Sequence, residues 1–550
     1  MHIYNSLFDK FDVKMASKVF VRESTGLVRE IGFLDHLITN MNGVVPLAAI
    51  VLTPWWVFFA VKGGDVMLAI IGGWLFTMLG SLVSYSFIAA TFPRSAAPYI
   101  ANSRIIHPAI GWPAEVLMWL GWIMALALYP GFMITWALIP GLYTIGVSSG
   151  IKAFVDVAFA LAQPEWAVLA GFLMLVPTSL IAALGTRKLV RTFQLPITII
   201  MFIAIIIIIA LWATTSRSQL EVVLPKYLHT DFNSILAEAR ASYPEAMIPP
   251  VYAFVPIMAA IAFTAGSFNT YWNSWAVGEV RRASDIKMQL ISMWIPSTLI
   301  ALIVGLTSGL AQALLGRDFL VAMTQILTNN PAFFEGVPAM PAYAMTLIPM
   351  MIADNPVIQF IIMIGTICGV LAYFPANWLI VTREWFAWSF DRLIPEKVSE
   401  VSDKYHTPIW SIIINLIVAC IFMVLFIYFI EYLAFFNTAA WDTTLIPIAI
   451  LCLSAALLPL RKELWSLSPA NKYKIGPIPL IVIGGILGFI YNGAAVLFFT
   501  ITPELGMGLP STLLLIFTFL IPFVLYWVVR AIRKRQGIDI DLIFKSIPPE

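Results

Sequence analysis

Charged residues are scarce in this 550-residue chain. Asp, Glu, Lys and Arg make up only 11% of it, whereas a soluble domain contains roughly 25%. Apolar residues reach 60%, with 38 Phe and 19 Trp, and the mean hydropathy is +0.90. A soluble fold could not cover so much apolar surface, which excludes a secreted enzyme, a disordered scaffold and a nucleic-acid binder. The composition predicts a polytopic membrane protein.

Residues that carry chemistry are few and scattered. The three cysteines all lie inside apolar runs, so we expect buried small side chains rather than disulfides or a zinc cluster. The five histidines lie far apart in tails, loops or span edges, and H-E-x-x-H and phosphate-loop motifs are absent. We therefore expect no enzyme, no metal site and no cofactor, apart from a coupling ion that is either a proton or sodium.

Hydrophobic runs long enough to cross a bilayer, about 20 residues each, occur twelve times. They cover residues 37–60, 66–92, 110–145, 166–184, 193–213, 251–277, 288–315, 357–382, 409–430, 436–460, 478–501 and 511–529. The alternating ten-residue strands of a barrel are absent. The sequence thus predicts an all-helical fold of twelve transmembrane helices, with no Lys or Arg inside a span.

The distribution of Lys and Arg predicts the orientation. An even number of spans places both termini on one side, and 26 of the 32 Lys and Arg residues fall on that side. Because cytoplasmic loops carry an excess of positive charge, we expect both termini in the cytoplasm and a multi-pass protein of the cell membrane. The first run is expected to act as an uncleaved anchor rather than a cleaved signal peptide.

Two spans contain segments that disfavour a continuous helix. In the first, Asn40, Asn42 and Gly43 precede Pro46. The second lies near the middle of the sixth span. Breaks in matching helices of two five-helix halves are typical of carriers, because the freed backbone groups bind a zwitterion at the bilayer midplane. The alternative is close helix packing by small residues; the matched pair favours binding. The predicted substrate-binding residues in these segments are Asn40, Asn42, Gly43, Val44, Phe263, Thr264, Ala265, Gly266, Ser267 and Asn269.

Two aromatic residues are further candidates for the binding site. Tyr129 stands beside Pro130 in the third span, where its hydroxyl either meets substrate or bonds a carbonyl freed by the proline. Tyr373 and Asn377 in the eighth span are four residues apart and so share a helix face. They either face the site or pack as polar residues, and Asn377 is also a candidate for gating or ion coupling.

Three more residues are candidates for gating or ion coupling. Glu115 lies at the cytoplasmic edge of the third span, as a gate or proton-handling group or as an interfacial acid paired with Arg. Asp442 lies near the external end of the tenth span, where it either attracts a cationic substrate or caps the helix, with the cap favoured. Thr366 in the eighth span could contribute to a sodium site.

Four stretches in order resemble the amino acid–polyamine–organocation superfamily of permeases. They are Gly26-Leu27-Val28-Arg29-Glu30, Pro93-Arg94-Ser95-Ala96-Ala97-Pro98-Tyr99, Gly278-Glu279-Val280-Arg281-Arg282-Ala283-Ser284-Asp285-Ile286, and the loop from Arg383-Glu384 through Asp391-Arg392-Leu393-Ile394-Pro395 to Thr407-Pro408. The resemblance implies a five-plus-five inverted repeat of the LeuT-like type, alternating access, and amino acids, polyamines or other amines as substrates.

The chain departs from that family at two places. The family's helix-one break usually reads G-S-G, whereas the aligned stretch here is Pro46-Leu47-Ala48. Many proton-coupled members have a Lys in helix five, and the matching residue here is Met201. A lysine-based proton switch is therefore not expected.

The organisation that follows has six parts. They are a cytoplasmic N-tail at 1–36, a first repeat at 37–213, an external loop at 214–250, a second repeat at 251–460 with an external helical loop at 316–356, helices eleven and twelve at 461–532, and a C-tail at 533–550. Residues 4–20 form either an interfacial helix or a partly ordered tail, with the tail favoured.

The function predicted is secondary active transport of amino acids or related amines. The substrate is a small molecule, the surroundings are membrane lipid, no nucleic acid is bound, and the protein is a monomer or homodimer. The main alternative is a membrane sensor on the same scaffold that binds substrate without translocating it. A channel is disfavoured, because the spans carry no rings of charge.

Overall fold

The computed structural model describes residues 27, 29–340, 344–502, 509–545 and 547, without the side chains of residues 344, 430–441 and 510. The predicted tail or interfacial helix at 4–20 lies outside these residues. Within them, eleven helices are long and apolar enough to cross a membrane. They are Phe33–Ala60, Val66–Thr91, Pro108–Ser149, Pro164–Ala183, Thr186–Thr214, Ile286–Leu315, Pro356–Phe390, Ile409–Phe429, Asp442–Leu460, Leu480–Ile501 and Ser511–Arg535. We number them spans 1–5 and 7–12, and we call residues 254–279 span 6 or, because most of it is not α-helical, segment 6.

Span 6 is the predicted run that does not appear as a full-length helix. Only Phe254–Ala262 is α-helical, and the chain then continues through turns and the short 3-10 segments Trp272–Ser274 and Val277–Glu279. Together with the eleven long helices, this segment accounts for the twelve predicted runs.

Several spans extend beyond their hydrophobic runs. Span 5 begins at Thr186 and span 8 continues to Phe390, so Arg191 and Arg383 lie within helices. Both arginines lie in the extensions beyond the predicted runs 193–213 and 357–382, which themselves contain no Lys or Arg. Hydropathy marks where a helix meets lipid, whereas the backbone hydrogen bonds of the helix continue into the layer beyond.

One face of the bundle carries both described chain ends. The backbone N–H of Ile31 donates to Glu279 O over 3.0 Å, and Arg533 Nε donates to Arg392 O over 3.0 Å. We call this the tail face and define it by residues 29–32, 91–107, 184–186, 279–285, 391–408, 458–479 and 536–545. Its defining ranges carry 13 of the 28 described Lys and Arg residues, compared with 5 in the ranges that define the opposite face.

The opposite face is built from the long connections, and we call it the loop face, defined by residues 61–65, 215–253 and 316–355. Residues Val251 and Gly63 join there through a backbone hydrogen bond of 2.8 Å, and Lys226 pairs with Asp354 over 2.6 Å. The external loop at 316–356 was predicted to be helical, and its short helices are confirmed. The connections contain Arg217–Leu228, Phe232–Ser242, Arg317–Asn329, Pro331–Phe333 and Ala344–Ala353.

The remaining described secondary structure is minor. A two-stranded antiparallel hairpin pairs Lys474–Ile475 with Ile478–Pro479 between spans 10 and 11. Spans 9 and 10 belong to two helices that meet at a kink at Phe429, and helical backbone occupies both sides of the kink from Ile409 to Leu457. The predicted interval between these two spans is therefore helical.

Small residues allow spans 2, 10 and 11 to approach closely. A Cβ added to Gly80 would lie 2.6 Å from the backbone N of Gly488, and one added to Gly485 would lie 2.6 Å from Cys452 O. Helices in a bilayer associate through such backbone approach, since lipid offers no hydrophobic driving force between them. Spans 11 and 12 add to the bundle, and span 11 packs against span 6 through Tyr491 and Phe499.

Candidate functional site

Span 1 is broken at residues 43–45. Its first half, Phe33–Asn42, ends before Gly43, and its second half begins at Pro46. Pro46 has no N–H and suits the first position of a helix. Val45 has φ +55°, a conformation that is costly for a β-branched residue and clusters at functional sites. The predicted break is thus present in this helix.

Span 6 is broken over a longer stretch than predicted. The α-helix ends at Ala262, and no α-helix follows among the described residues until Ile286. Thr264, Ala265 and Ser267 instead make i to i−3 backbone bonds, such as Ser267 N to Thr264 O at 2.9 Å. Short polar residues compete for the backbone hydrogen bonds of this segment, which leaves it irregular through the middle of the protein.

The two breaks are joined by polar contacts. Thr53 Oγ1 donates to Ser267 Oγ over 2.9 Å, and Asn40 Oδ1 accepts the backbone N–H of Asn273 at 2.8 Å. The ring of His36 accepts from the Asn273 amide at Nδ1 and donates from Nε2 to Gln289 Oε1 over 2.9 Å. A neutral imidazole satisfies both of these hydrogen bonds. His36 therefore holds the irregular part of span 6 in place without carrying a charge.

A cavity of about 400 Å³ lies between the broken segments. It reaches from Gly43 and Gly266 towards the loop face, where Trp55 Nε1 donates to Thr328 Oγ1 over 3.1 Å. Ten of its 29 lining residues are aromatic: Trp55, Trp56, Trp122, Tyr129, Phe132, Trp136, Tyr271, Trp272, Tyr373 and Phe426. None of the described lining residues is Asp, Glu, Lys or Arg.

The floor of the cavity is a stack of rings. Tyr129 and Tyr373 lie parallel with centroids 3.9 Å apart, and Trp122 meets Trp272 edge-on at 4.2 Å. Gly43 lies against this floor, since a Cβ added there would be 1.8 Å from the Trp272 ring. Gly43 has an ordinary helical φ of −64°, so glycine is needed here for space rather than for backbone freedom.

Seven of the predicted binding residues line the cavity: Gly43, Val44, Tyr129, Gly266, Ser267, Asn269 and Tyr373. Asn269 donates its Nδ2 to Ala265 O, while its buried Oδ1 has no partner. That oxygen is a buried acceptor whose hydrogen-bonding capacity is unused in the described structure. For Tyr129, the structure places the ring on the cavity wall, which favours the substrate-facing alternative.

Five of the predicted binding residues lie outside the cavity: Asn40, Asn42, Phe263, Thr264 and Ala265. Their side chains point away from the cavity and pack between helices. Asn42 Nδ2 donates to Thr198 Oγ1 of span 5 over 2.8 Å. Thr264 Oγ1 is 3.3 Å from the Tyr491 hydroxyl of span 11.

Glu115 is fully buried. Its carboxylate accepts from Asn102 Nδ2 at 3.2 Å and from Trp275 Nε1 at 3.3 Å. The side chain of Glu384, on span 8, is within hydrogen-bond reach. The alternative of an interfacial acid paired with Arg was wrong, because span 3 turns this residue towards spans 6 and 8 rather than towards water.

Asp442 is buried near the loop face and does not line the cavity. Its Oδ2 accepts from Thr500 Oγ1 at 3.3 Å. The favoured interpretation as a helix cap was wrong, because helical hydrogen bonding continues through this residue. Thr366 donates to Ile362 O of its own helix at 2.8 Å, and both amide atoms of buried Asn377 have no partner.

Below the cavity, buried ion pairs close the tail face. Arg383 Nη2 lies 2.7 Å from Glu279 Oε1, which joins span 8 to the end of segment 6. Arg104 makes a two-point contact with Asp391 at 2.6 and 2.7 Å. Burial opposes the charge of Arg104, but attraction to Asp391 exceeds that effect and raises the pKa of the guanidinium. Such pairs are strongly destabilised when one partner is lost.

Sequence reasoning missed the aromatic floor and one of the acids. Trp122, Tyr271 and Trp272 line the cavity, although abundant aromatic residues in a membrane protein indicate mainly interfacial belts. The position of Tyr271 and Trp272 directly after the predicted break was the signal available. Glu384 belonged to a recognised loop motif, and its burial followed only from the extension of span 8.

Residues 146–150 spell G-x-S-x-G, a pattern typical of hydrolase nucleophiles on a strand-to-helix turn. Here Ser148 lies in the helix Ile139–Ser149 and donates to Gln359 Oε1 over 2.6 Å. The context of the pattern is therefore that of a packing serine. Among the described residues, no group of three or more His, Cys, Asp or Glu side chains could hold a metal ion.

Comparison with solved structures identifies the fold of the chain. The chain is similar to MhsT in complex with L-phenylalanine, with a TM-score of 0.52 and 14% identity over 86% of this chain and 98% of the MhsT chain. No protein-family model matches the sequence, and no curated protein matches it. The likeness concerns the fold, and it shows that the chain is a polytopic membrane protein of the LeuT-like fold.

Proposed function

We propose that this protein is a secondary active transporter of neutral amino acids, acting without chemistry on its substrate. The observation that carries the proposal is the cavity at the paired breaks of spans 1 and 6. In such folds the substrate site lies where discontinuous helices meet near the bilayer midplane. The structural neighbour MhsT holds L-phenylalanine, which supports an amino acid as the ligand class.

The lining of the cavity supports a neutral substrate with a large apolar side chain. A cationic or anionic side chain would be buried without an opposite charge among the described lining residues, which is costly. The rings of Trp122, Tyr129 and Trp272 instead offer apolar and π surface. A polyamine would need acceptors for several ammonium groups, so it is disfavoured, although amine substrates belong to the family that the sequence resembles.

The backbone of an amino acid also finds suitable groups. The unpartnered Oδ1 of Asn269 can accept from the ammonium group, and the aromatic rings can add cation–π attraction. The second half of span 1 begins at Pro46, and the positive end of its helix dipole favours a carboxylate. These groups would hold a zwitterion without a charged side chain.

Alternating access is the mechanism we propose for translocation. The cavity lies on the loop-face side of the aromatic floor, while Arg383–Glu279 and Arg104–Asp391 hold the tail face closed. We propose that the tail face is cytoplasmic, in the cell membrane, in keeping with its excess of Lys and Arg. Release of substrate then requires segment 6 to shift and these ion pairs to separate.

Uptake into proteoliposomes tests the proposal. The purified protein would be given labelled amino acids and polyamines, with and without imposed proton and sodium gradients. Concentrative uptake of large neutral amino acids that follows one gradient would support it. Thermal stabilisation by an amino acid with no uptake and no exchange would replace the transporter by the sensor, and gradient-independent flux that does not saturate would indicate a channel.

A further inference from the structure

Two acids meet inside the bundle at a place that the substrate cavity does not include. Glu115 on span 3 and Glu384 on span 8 are both fully buried, and their carboxyl groups are within hydrogen-bond reach of each other. Glu115 receives hydrogen bonds from Asn102 and Trp275. Trp275 also interacts with Glu384, but no hydrogen bond of ordinary geometry reaches either oxygen of Glu384 in the described structure.

The groups that face the pair supply no compensating charge. Asn102 and Trp275 bond Glu115, and Tyr85 of span 2 lies near both acids. Around these neighbours lie Tyr271, Cys452 and Ser454, which are also uncharged groups. The nearest cations in sequence are committed elsewhere: Arg383 bonds Glu279 and Thr186, and Arg104 bonds Asp391. Within the described residues, no Lys or Arg forms an ion pair with either acid.

The carboxyl groups of Glu115 and Glu384 cannot both stay ionised side by side where both are fully buried. Burial disfavours each carboxylate, and a second carboxylate alongside disfavours it further. A single proton removes the repulsion and the burial cost of one of the two charges, since it forms an O–H bond on one carboxyl group and a hydrogen bond to the other. It also gives Glu384 the partner that its oxygens lack.

We propose that Glu115 and Glu384 bind one proton between them and that this proton is the coupling ion of transport. The inference rests on the proposed transporter function, and it names the ion. In the present conformation the pair carries one proton and one negative charge. Release transfers the proton to water at the tail face and leaves two carboxylates, whose repulsion pushes spans 3 and 8 apart.

Contacts connect the pair to the substrate cavity. Tyr271 lines the cavity and stacks on Tyr85 at 4.0 Å. Its ring lies 5.9 Å from that of Trp275, the residue that donates to Glu115. Arg383, next to Glu384 in span 8, holds Glu279 at the end of segment 6. A shift of segment 6 therefore changes the surroundings of both acids, which would link substrate movement to proton release.

Infrared spectroscopy tests the proton directly. At neutral pH the wild-type protein should show the C=O stretching band of a buried protonated carboxyl group, and E115Q and E384Q should each lose it. The exposed acid Glu221, which pairs with Arg217, supplies the control variant E221Q, which should keep the band. Absence of the band in wild type, or its persistence in both Gln variants, would overturn the proposal.

Transport tests the coupling separately. Wild-type uptake should rise with an inward proton gradient, whereas E384Q should lose this dependence and still exchange external for internal substrate. The amide of Gln keeps the size and hydrogen bonding of the protonated acid, and exchange shows that the variant is folded. Uptake that ignores the proton gradient in wild type would refute the coupling alone. Absence of both uptake and exchange in wild type would instead refute the transporter, with the infrared result still deciding the proton.

Discussion

Gly43→Ala is the smallest change that tests the floor of the cavity. The added Cβ would lie 1.8 Å from Cγ and Cδ1 of Trp272, whereas carbon atoms in contact are about 3.5–4.0 Å apart. Trp272 would have to move by roughly 2 Å, and it is already packed edge-on against Trp122 at 4.2 Å. The ring therefore has to move into the cavity or displace its neighbour.

Overpacking of this kind costs about 1–3 kcal/mol. If the displaced ring occupies substrate space, the same free energy is lost from binding, which corresponds to an affinity about 5–150-fold lower. Equilibrium binding of a labelled large neutral amino acid measures the loss, and thermal unfolding of the same sample measures stability. Gly493→Ala is the matched control, because a Cβ added to Gly493 meets nothing within 4 Å.

A double-mutant cycle identifies Trp272 as the cause. In a Trp272→Ala background the collision is absent, so Gly43→Ala should cost almost nothing further. Equal losses in both backgrounds would show that the glycine acts through the backbone rather than through Trp272. Unchanged affinity and stability in Gly43→Ala would refute the geometry of the floor itself.

Three further changes follow from the site. Gly266→Leu should fill the cavity and abolish uptake while leaving the amount of folded protein unchanged, and normal uptake would count against this cavity as the binding site. Asn269→Leu removes an acceptor for the ammonium group, so affinity should fall about 10–100-fold, the range of a hydrogen bond to a charged group; equal binding would remove Asn269 from the site. Arg104→Met leaves Asp391 buried without a cation, with only the Tyr99 hydroxyl still donating to it, which should destabilise the protein by about 3–5 kcal/mol. Adding Asp391→Leu should recover most of that loss in thermal unfolding, and no recovery would contradict the pairing.

The sequence predicted the membrane class, the number of apolar runs and the two breaks. These features depend on local chemistry. Apolar runs must be helical in lipid because their backbone groups have no water to bond, and Pro46 interrupts a helix wherever it stands. The residues nearest the breaks, Gly43, Val44 and Gly266, were accordingly predicted and line the cavity.

The direction in which each side chain points could not be predicted in the same way. Asn40, Asn42 and Thr264 lie in the predicted segments but bond other helices. An irregular segment has no fixed period, so sequence spacing does not say which of its side chains faces the opening. For the same reason Trp272, directly after the break, was missed although it forms the floor.

Long-range proximity was decided by the tertiary structure alone. Glu115 and Glu384 are 269 positions apart, and nothing in either segment indicates that spans 3 and 8 bring their carboxyl groups together. Arg104 and Asp391 are likewise joined only by the packing of the tail face. The sequence by itself determines where the chain enters lipid and where a helix must break, because both depend on the free energies of residues that are neighbours in the chain. Which buried charges meet is set by helix packing, which no single segment encodes.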